Sequence, residues 1–236
     1  MTTIIPFSIT ITLCVLVTAT VLLSIVFLRP AYQRSTAKGK ALPLLLLALL
    51  IILQSVLAAK GFFAQTIQNT PPPAGLAILV IMAMTLYLAL RYPPFKTLTA
   101  TDTIKLAYLQ TFRFPLELIF IWLLGYNAIP IEMTFEGRSP DILIGLSAPV
   151  VAFAVQRNWL PAKALLIWNF IGLGFLLNIM TIAVLCLPTN FRVLFESVPN
   201  EFVLYFPYNL IPVVLVMMAL FLHVLSLKTL LRKAKV

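Results

Sequence analysis

Charge is the scarcest commodity in this chain. Only 10% of its 236 residues are charged, against about 25% in an average soluble domain. Histidine occurs once, as His223, and cysteine twice, as Cys14 and Cys186, with no C-x-x-C spacing. One histidine excludes an intramembrane zinc hydrolase, which needs several His and carboxylate ligands. Two cysteines set in apolar stretches give neither a disulfide framework nor a thiolate metal cluster, and read as small buried hydrophobes. No lysine lies between Phe206 and Leu227, which excludes a retinal Schiff base in the last apolar run. Walker A, strand-linked G-x-G-x-x-G and G-x-S-x-G patterns are missing too, so nucleotide-driven and serine-hydrolase chemistry are excluded.

What the chain has in quantity is apolar surface: 61% of its residues are hydrophobic and the mean hydropathy is +1.05. A soluble fold of this length cannot hide that much, because a small globule leaves much of its surface in water. The expected fold class is therefore all-α, an integral membrane helical bundle forming a single domain over residues 1–236. A spanning helix needs about 20 mainly apolar residues, and seven segments qualify: Ile4 to Leu28, Ala41 to Ala59, Ala74 to Leu90, Leu106 to Tyr126, Ile142 to Gln156, Ala164 to Leu187 and Phe206 to Leu227. The third and fifth are short. The first has no charged region before it and no small-residue cleavage pattern, so it is expected to stay attached as a span rather than act as a signal peptide.

The net charge of +10 is spread through short segments between apolar runs rather than gathered on one face, which argues against nucleic acid and for topology. Basic residues in short loops stay cytoplasmic. With the N-terminus outside, the inner loops hold Arg29, Arg34, Lys38, Lys40, Arg91, Lys96, Lys105, Arg157, Lys163, Lys228, Arg232, Lys233 and Lys235. The outer side holds only Lys60, Arg138 and Arg192, with five of the seven acids. Every loop agrees, so the C-terminus is expected in the cytoplasm. The connections are short and contain no repeat or low-complexity tract. Two outer stretches are longer, Asn127 to Asp141 and Pro188 to Tyr205, the second with Phe191, Phe195, Phe202 and Tyr205 and readable as an interfacial helix or lid. Pro43 falls at a helix start, where its missing N–H costs nothing, whereas Pro115, Pro149 and Pro212 fall inside apolar runs and should kink them.

Two constellations carry the chemistry. In the fourth segment, Arg113 and Glu117 lie four apart, one helical turn from each other, and can neutralise one another as an ion pair. A charge near a span's centre costs about 2.5–3.5 kcal/mol on insertion scales, so the pair demands a reason. Asn169 and His223 are expected at similar depth, with Tyr87 not far away. If these faces converge, they form an inner polar layer that binds an anion through Arg113 or relays protons through Glu117 and His223. The structural alternative is a pair that fixes helix packing, with Asn169 and His223 as interhelical hydrogen-bonding groups. Outside the membrane, Glu132, Glu136 and Asp141 crowd one turn. Their oxygens suit a hard cation, but the spacing matches no EF-hand loop, and Asp141 also reads as the N-cap of the fifth helix. No bound metal or cofactor is expected.

Three stretches, Met133 to Phe153 (MTFEGRSPDILIGLSAPVVAF), Leu165 to Leu185 (LLIWNFIGLGFLLNIMTIAVL) and Leu204 to Leu231 (LYFPYNLIPVVLVMMALFLHVLSLKTLL), together with Phe112 to Leu118 (FRFPLEL), resemble an uncharacterised family of small bacterial multispan membrane proteins. The resemblance covers most of the C-terminal two thirds. It implies a bacterial cytoplasmic membrane and carries no catalytic residue across. The functional expectation is binding or translocation of a small solute or ion around Arg113 and Glu117, with the lipid bilayer as constant partner. A non-catalytic sensor or assembly subunit using the outer loops is the alternative, and a lipid-modifying enzyme the third. An enzyme is the less favoured class.

Overall fold

The computed structural model describes residues 5–38, 40–190, 192–193 and 197–233. Ile4, Phe191, Phe195, Glu196 and Lys235 lie outside the described residues. The described chain is mostly helical, with no strand among the described residues, as suits chain that runs through hydrocarbon, where a helix satisfies its backbone polar groups within itself.

The long helices are α1 (Phe7–Arg34), α2 (Leu42–Ala59) and, after the one-turn α3 (Phe62–Gln65), α4 (Pro73–Arg91). Then come α5 (Ala100–Leu109), α6 (Arg113–Leu124), α7 (Ile142–Gln156), α8 (Ala162–Leu185) and α9 (Met217–Lys233). Pro43 and Pro73 stand in the first turns of α2 and α4, where no intrahelical N–H bond is lost. A capping box between Thr99 and Asp102 starts α5. The expected fourth span begins earlier than hydropathy suggested. It is built from α5 and α6 joined by the 3-10 turn Gln110–Phe112, which ends two residues short of Pro115, whose ring and missing N–H disturb the preceding turn. Pro212 likewise opens a π-helical stretch, Ile211–Val216, leading into α9.

Helix direction alternates. At one end, Arg34 at the close of α1 meets Asp102 at the start of α5 (2.8 Å), and Lys228 and Arg232 of α9 reach the carbonyls of Leu90 and Leu98 (2.7 and 2.9 Å). At the other end, Thr10 of α1 bonds Tyr208 just before α9 (2.7 Å), and Gln68 bonds the Pro188 carbonyl (2.6 Å). The basic loops collect at the first end. Buried on nearly every side, α9 is the axis against which α4, α5 and α8 pack, while α1 leans on α5 and α6 and α2 on α4. Large apolar side chains cover the outer faces of α1 and α2, as lipid contact requires.

Six helical segments are long and apolar enough to cross a membrane. The seventh expected span is different. At 15 residues and about 1.5 Å each, α7 is roughly 22 Å long, less than the ~30 Å hydrocarbon thickness. Its approach is not helical. Residues 127–141 fold back on themselves through bonds such as Arg138 N–H to the Glu132 carbonyl (3.2 Å) and Ser139 N–H to the Thr134 carbonyl (3.1 Å). Gly137 permits the fold-back: a Cβ there would lie 2.1 Å from the Ile131 oxygen. The described residues of the second outer stretch form no α-helix. Its described part ties onto the end of α8, with the Asn200 N–H donating to the Cys186 carbonyl (2.9 Å), and ends in the 3-10 turn Phe202–Leu204. Cys186 is fully buried and Cys14 half-buried.

Gly145 lets α7 touch the α5–α6 joint, since a Cβ there would stand 2.3 Å from the Phe114 nitrogen, whereas Gly174 on α8 faces open space. Gly145→Ala should therefore destabilise the bundle by about 1–3 kcal/mol, and Gly174→Ala should be neutral or stabilise it by up to about 1 kcal/mol. Denaturant titration in detergent micelles measures both.

Candidate functional site

Arg113 is the first residue of α6 and is 2% exposed. At 1.5 Å per residue it stands ~20 Å from Ala100 and ~17 Å from Leu124, near the middle of the α5–α6 span. Its ion partner is Asp141. The Arg113 Nε donates to Asp141 Oδ2 at 2.7 Å, and the Nη2 makes a second contact with Oδ1. This two-pronged geometry is the strong form of an arginine–carboxylate interaction. Asp141 holds the N-cap position of α7 but makes no side-chain cap bond, so the capping role expected of it is replaced by the pairing with Arg113. The positive end of the α7 dipole adds a reason for a carboxylate there.

The remaining guanidinium nitrogen, Nη1, donates to His223 Nε2 at 2.8 Å. Arginine has no acceptor, so Nε2 must accept and the imidazole is the neutral, Nδ1-protonated tautomer. That Nδ1–H donates to Asn169 Oδ1 (2.9 Å), and Asn169 Nδ2 donates to the Leu165 carbonyl (2.8 Å). The result is a continuous buried chain across α7, α6, α9 and α8. Its position is set by close packing: a Cβ on Gly172 of α8 would lie 2.4 Å from the His223 ring. Trp168 lies against the same ring, with centroids 5.7 Å apart, and donates to Ser147 on α7 (2.9 Å).

Glu117, also 2% exposed, does not belong to this chain. Its Oε1 accepts the Phe135 N–H at 2.6 Å. The non-helical segment leaves backbone donors without helical partners, and Glu117, reaching from α6, meets one of these. The sequence reading that paired Arg113 with Glu117 is corrected here: among the described residues the ion pairs are Arg113–Asp141 and Arg34–Asp102. Tyr87 is 47% exposed on the outer face of α4 and lies apart from the polar layer. Of the outer acids, Glu132 is buried and accepts from the Ser197 hydroxyl, Glu136 is exposed, and Asp141 points inward. Among the described residues no group of three His, Cys, Asp or Glu side chains gathers as a metal site.

A cavity of about 140 Å³ descends to this network. Its upper rim is formed by the start of α4, the end of α8 and the 200–204 turn; its floor carries Arg113 and Asp141. The walls between are apolar, with Leu116, Leu176, Ile179 and Leu215 among them. It exists because α4 and α8 both pack on α9 without closing on each other, and because the π-helical turn at Ile211–Val216 widens the axis at that level. Buried Asn200 lines the rim, and its Oδ1 has no hydrogen-bond partner.

These features define a multi-pass, all-helical membrane protein with a buried charged network under an apolar cavity. The family model for a domain of unknown function, DUF8737, matches residues 71–231, and the chain belongs to that family. The match takes in α4 to α9, and with them the whole network, and leaves out α1 to α3. No curated protein and no solved structure matches the chain.

Removing one member of a buried pair strands the other charge, at about 3–5 kcal/mol, while replacing both by apolar residues costs far less. Arg113→Gln alone should therefore destabilise strongly and Arg113→Met with Asp141→Leu much less. In double-mutant cycles followed by unfolding in micelles, the Arg113–Asp141 coupling should exceed the Arg113–Glu117 coupling by at least about 1 kcal/mol.

Proposed function

We propose that this protein binds a small, largely apolar molecule with one polar end, which enters from the outer side of the membrane and rests on Arg113 and Asp141. In this reading the chain crosses the bilayer seven times, with the re-entrant 127–141 segment completing the crossing that α7 begins, the N-terminus outside and the basic end in the cytoplasm. The lopsided basic residues support the orientation.

The observation that carries the binding function is the cavity that ends on the charged pair. A cavity of about 150 Å³ lined by apolar side chains accommodates a molecule the size of benzene, and this one is comparable at about 140 Å³. Apolar walls discriminate against free ions. The floor supplies a donor-rich guanidinium and a carboxylate, and the rim supplies the unpartnered acceptor of Asn200. Below the floor, the Arg113–His223–Asn169 chain and the packed α7–α8 contact close the way inward, so binding is favoured over translocation. The family shares the matched region 71–231, within which all of these residues fall.

The test is thermal shift in detergent with phenol, benzyl alcohol and hexanoate as probes. A site ligand at 100 times its Kd should stabilise by about 2.7 kcal/mol. Ile179→Trp, which fills the cavity without touching the charges, should abolish the shift. Absence of any shift, or a shift that survives Ile179→Trp, would sink the reading.

A further inference from the structure

A second and larger space lies along the same face of α4, nearer its C-terminal end. Helices α1 and α2 face one another without packing together, and between them a lateral groove of about 510 Å³ opens, floored by α4 and α9. That size falls within the roughly 300–1,000 Å³ range of ligand pockets. On α1 its lining runs from Val21 to Tyr32. At 1.5 Å per residue this is about 16 Å, close to half the ~30 Å hydrocarbon core and so to the depth of one leaflet.

The groove is polarised. Its walls are aliphatic and aromatic along most of their length, but Arg29 lines its basic end. Lys40 sits beside that end, with its ammonium 4.5 Å above the ring of Tyr32, which is itself part of the lining. Deeper inside, Thr85 is 3% exposed and its hydroxyl has no hydrogen-bond partner. A buried hydroxyl without a partner is destabilising. Its persistence inside an otherwise apolar groove marks a place where an acceptor belongs.

We infer that the α1–α2 groove holds one anionic phospholipid of the leaflet at the basic end, its phosphate against Arg29 and its acyl chain between α1 and α2. The occupant must be apolar along its length, about one leaflet deep, anionic at the basic end, and equipped with an acceptor near that end. An anionic phospholipid meets all four conditions: its ester carbonyl is the acceptor for Thr85. A zwitterionic lipid gains less from Arg29, and a second copy of the chain would not deliver an acceptor to Thr85. The site is separate from the cavity above Arg113 and does not rest on the function proposed for that cavity.

The experiment reconstitutes the full chain in nanodiscs of phosphatidylglycerol and phosphatidylethanolamine in equal parts, extracts it in mild detergent and counts retained lipids by native mass spectrometry. One phosphatidylglycerol should stay with each chain. Arg29→Gln should reduce the preference for it about fivefold, the worth of one cation near a membrane surface. Ala48→Trp, at an exposed position in the lining of α2, should expel the lipid while leaving a monodisperse, folded protein. Equal retention of the two lipids, retention of none, a groove sealed by a dimer, or unchanged retention in Ala48→Trp would each overturn the inference.

Discussion

Arg113 cannot give up its charge, and in the middle of a span it cannot stay unpaired. Much of the half of the molecule away from the basic end follows from that constraint. The carboxylate that answers it belongs to Asp141, so α7 must start well inside the bundle rather than at its surface. If α7 starts there, the chain that feeds it has to re-enter without being helical. The self-bonded 127–141 segment, the close approaches at Gly137 and Gly145, and the duty of Glu117 toward the Phe135 N–H are all consequences of one pairing.

The sequence exposed a good deal of this. Apolar runs separated by basic or proline-containing breaks located α2, α4, α7 and α8 to within two residues but cut α1 and α9 short by six and began the fourth span six residues late; Arg113, His223 and Asn169 were placed in one layer from depth alone. Pairing was harder. Spacing of four along a helix made Glu117 the natural partner of Arg113, and nothing local says that its carboxylate is needed by a backbone N–H eighteen residues later. That need arises only because the intervening chain folds back, which is a tertiary fact. Asp141 was noticed for two other reasons, acidity and cap position, and neither gave its direction. The glycines at 145 and 172 were the overlooked clue: a small residue facing a neighbouring helix marks where two backbones or a ring approach closely. Tyr87 was assigned by depth without regard to face, and the face turned out to be the lipid side.

The packing around α9 explains why the molecule contains both a cavity and a groove. A central helix touched by α1, α4, α5 and α8 leaves room wherever two of its neighbours fail to meet. Two such spaces open along α4, one near its start where α8 stands away from it, and one near its end where α1 stands away from α2. The widened π-helical turn after Pro212 deepens the first of these spaces, and the family match beginning at residue 71 includes both of its walls.

The directional character of the buried chain has one more consequence. Through His223 and Asn169 every donor points from the guanidinium toward the Leu165 carbonyl. The single imidazole stands between an arginine and an amide, neither of which releases a proton under physiological conditions. Protons therefore have no stepwise route along it. A bundle built this way can open a pocket to one face of a charged membrane without short-circuiting the voltage across it.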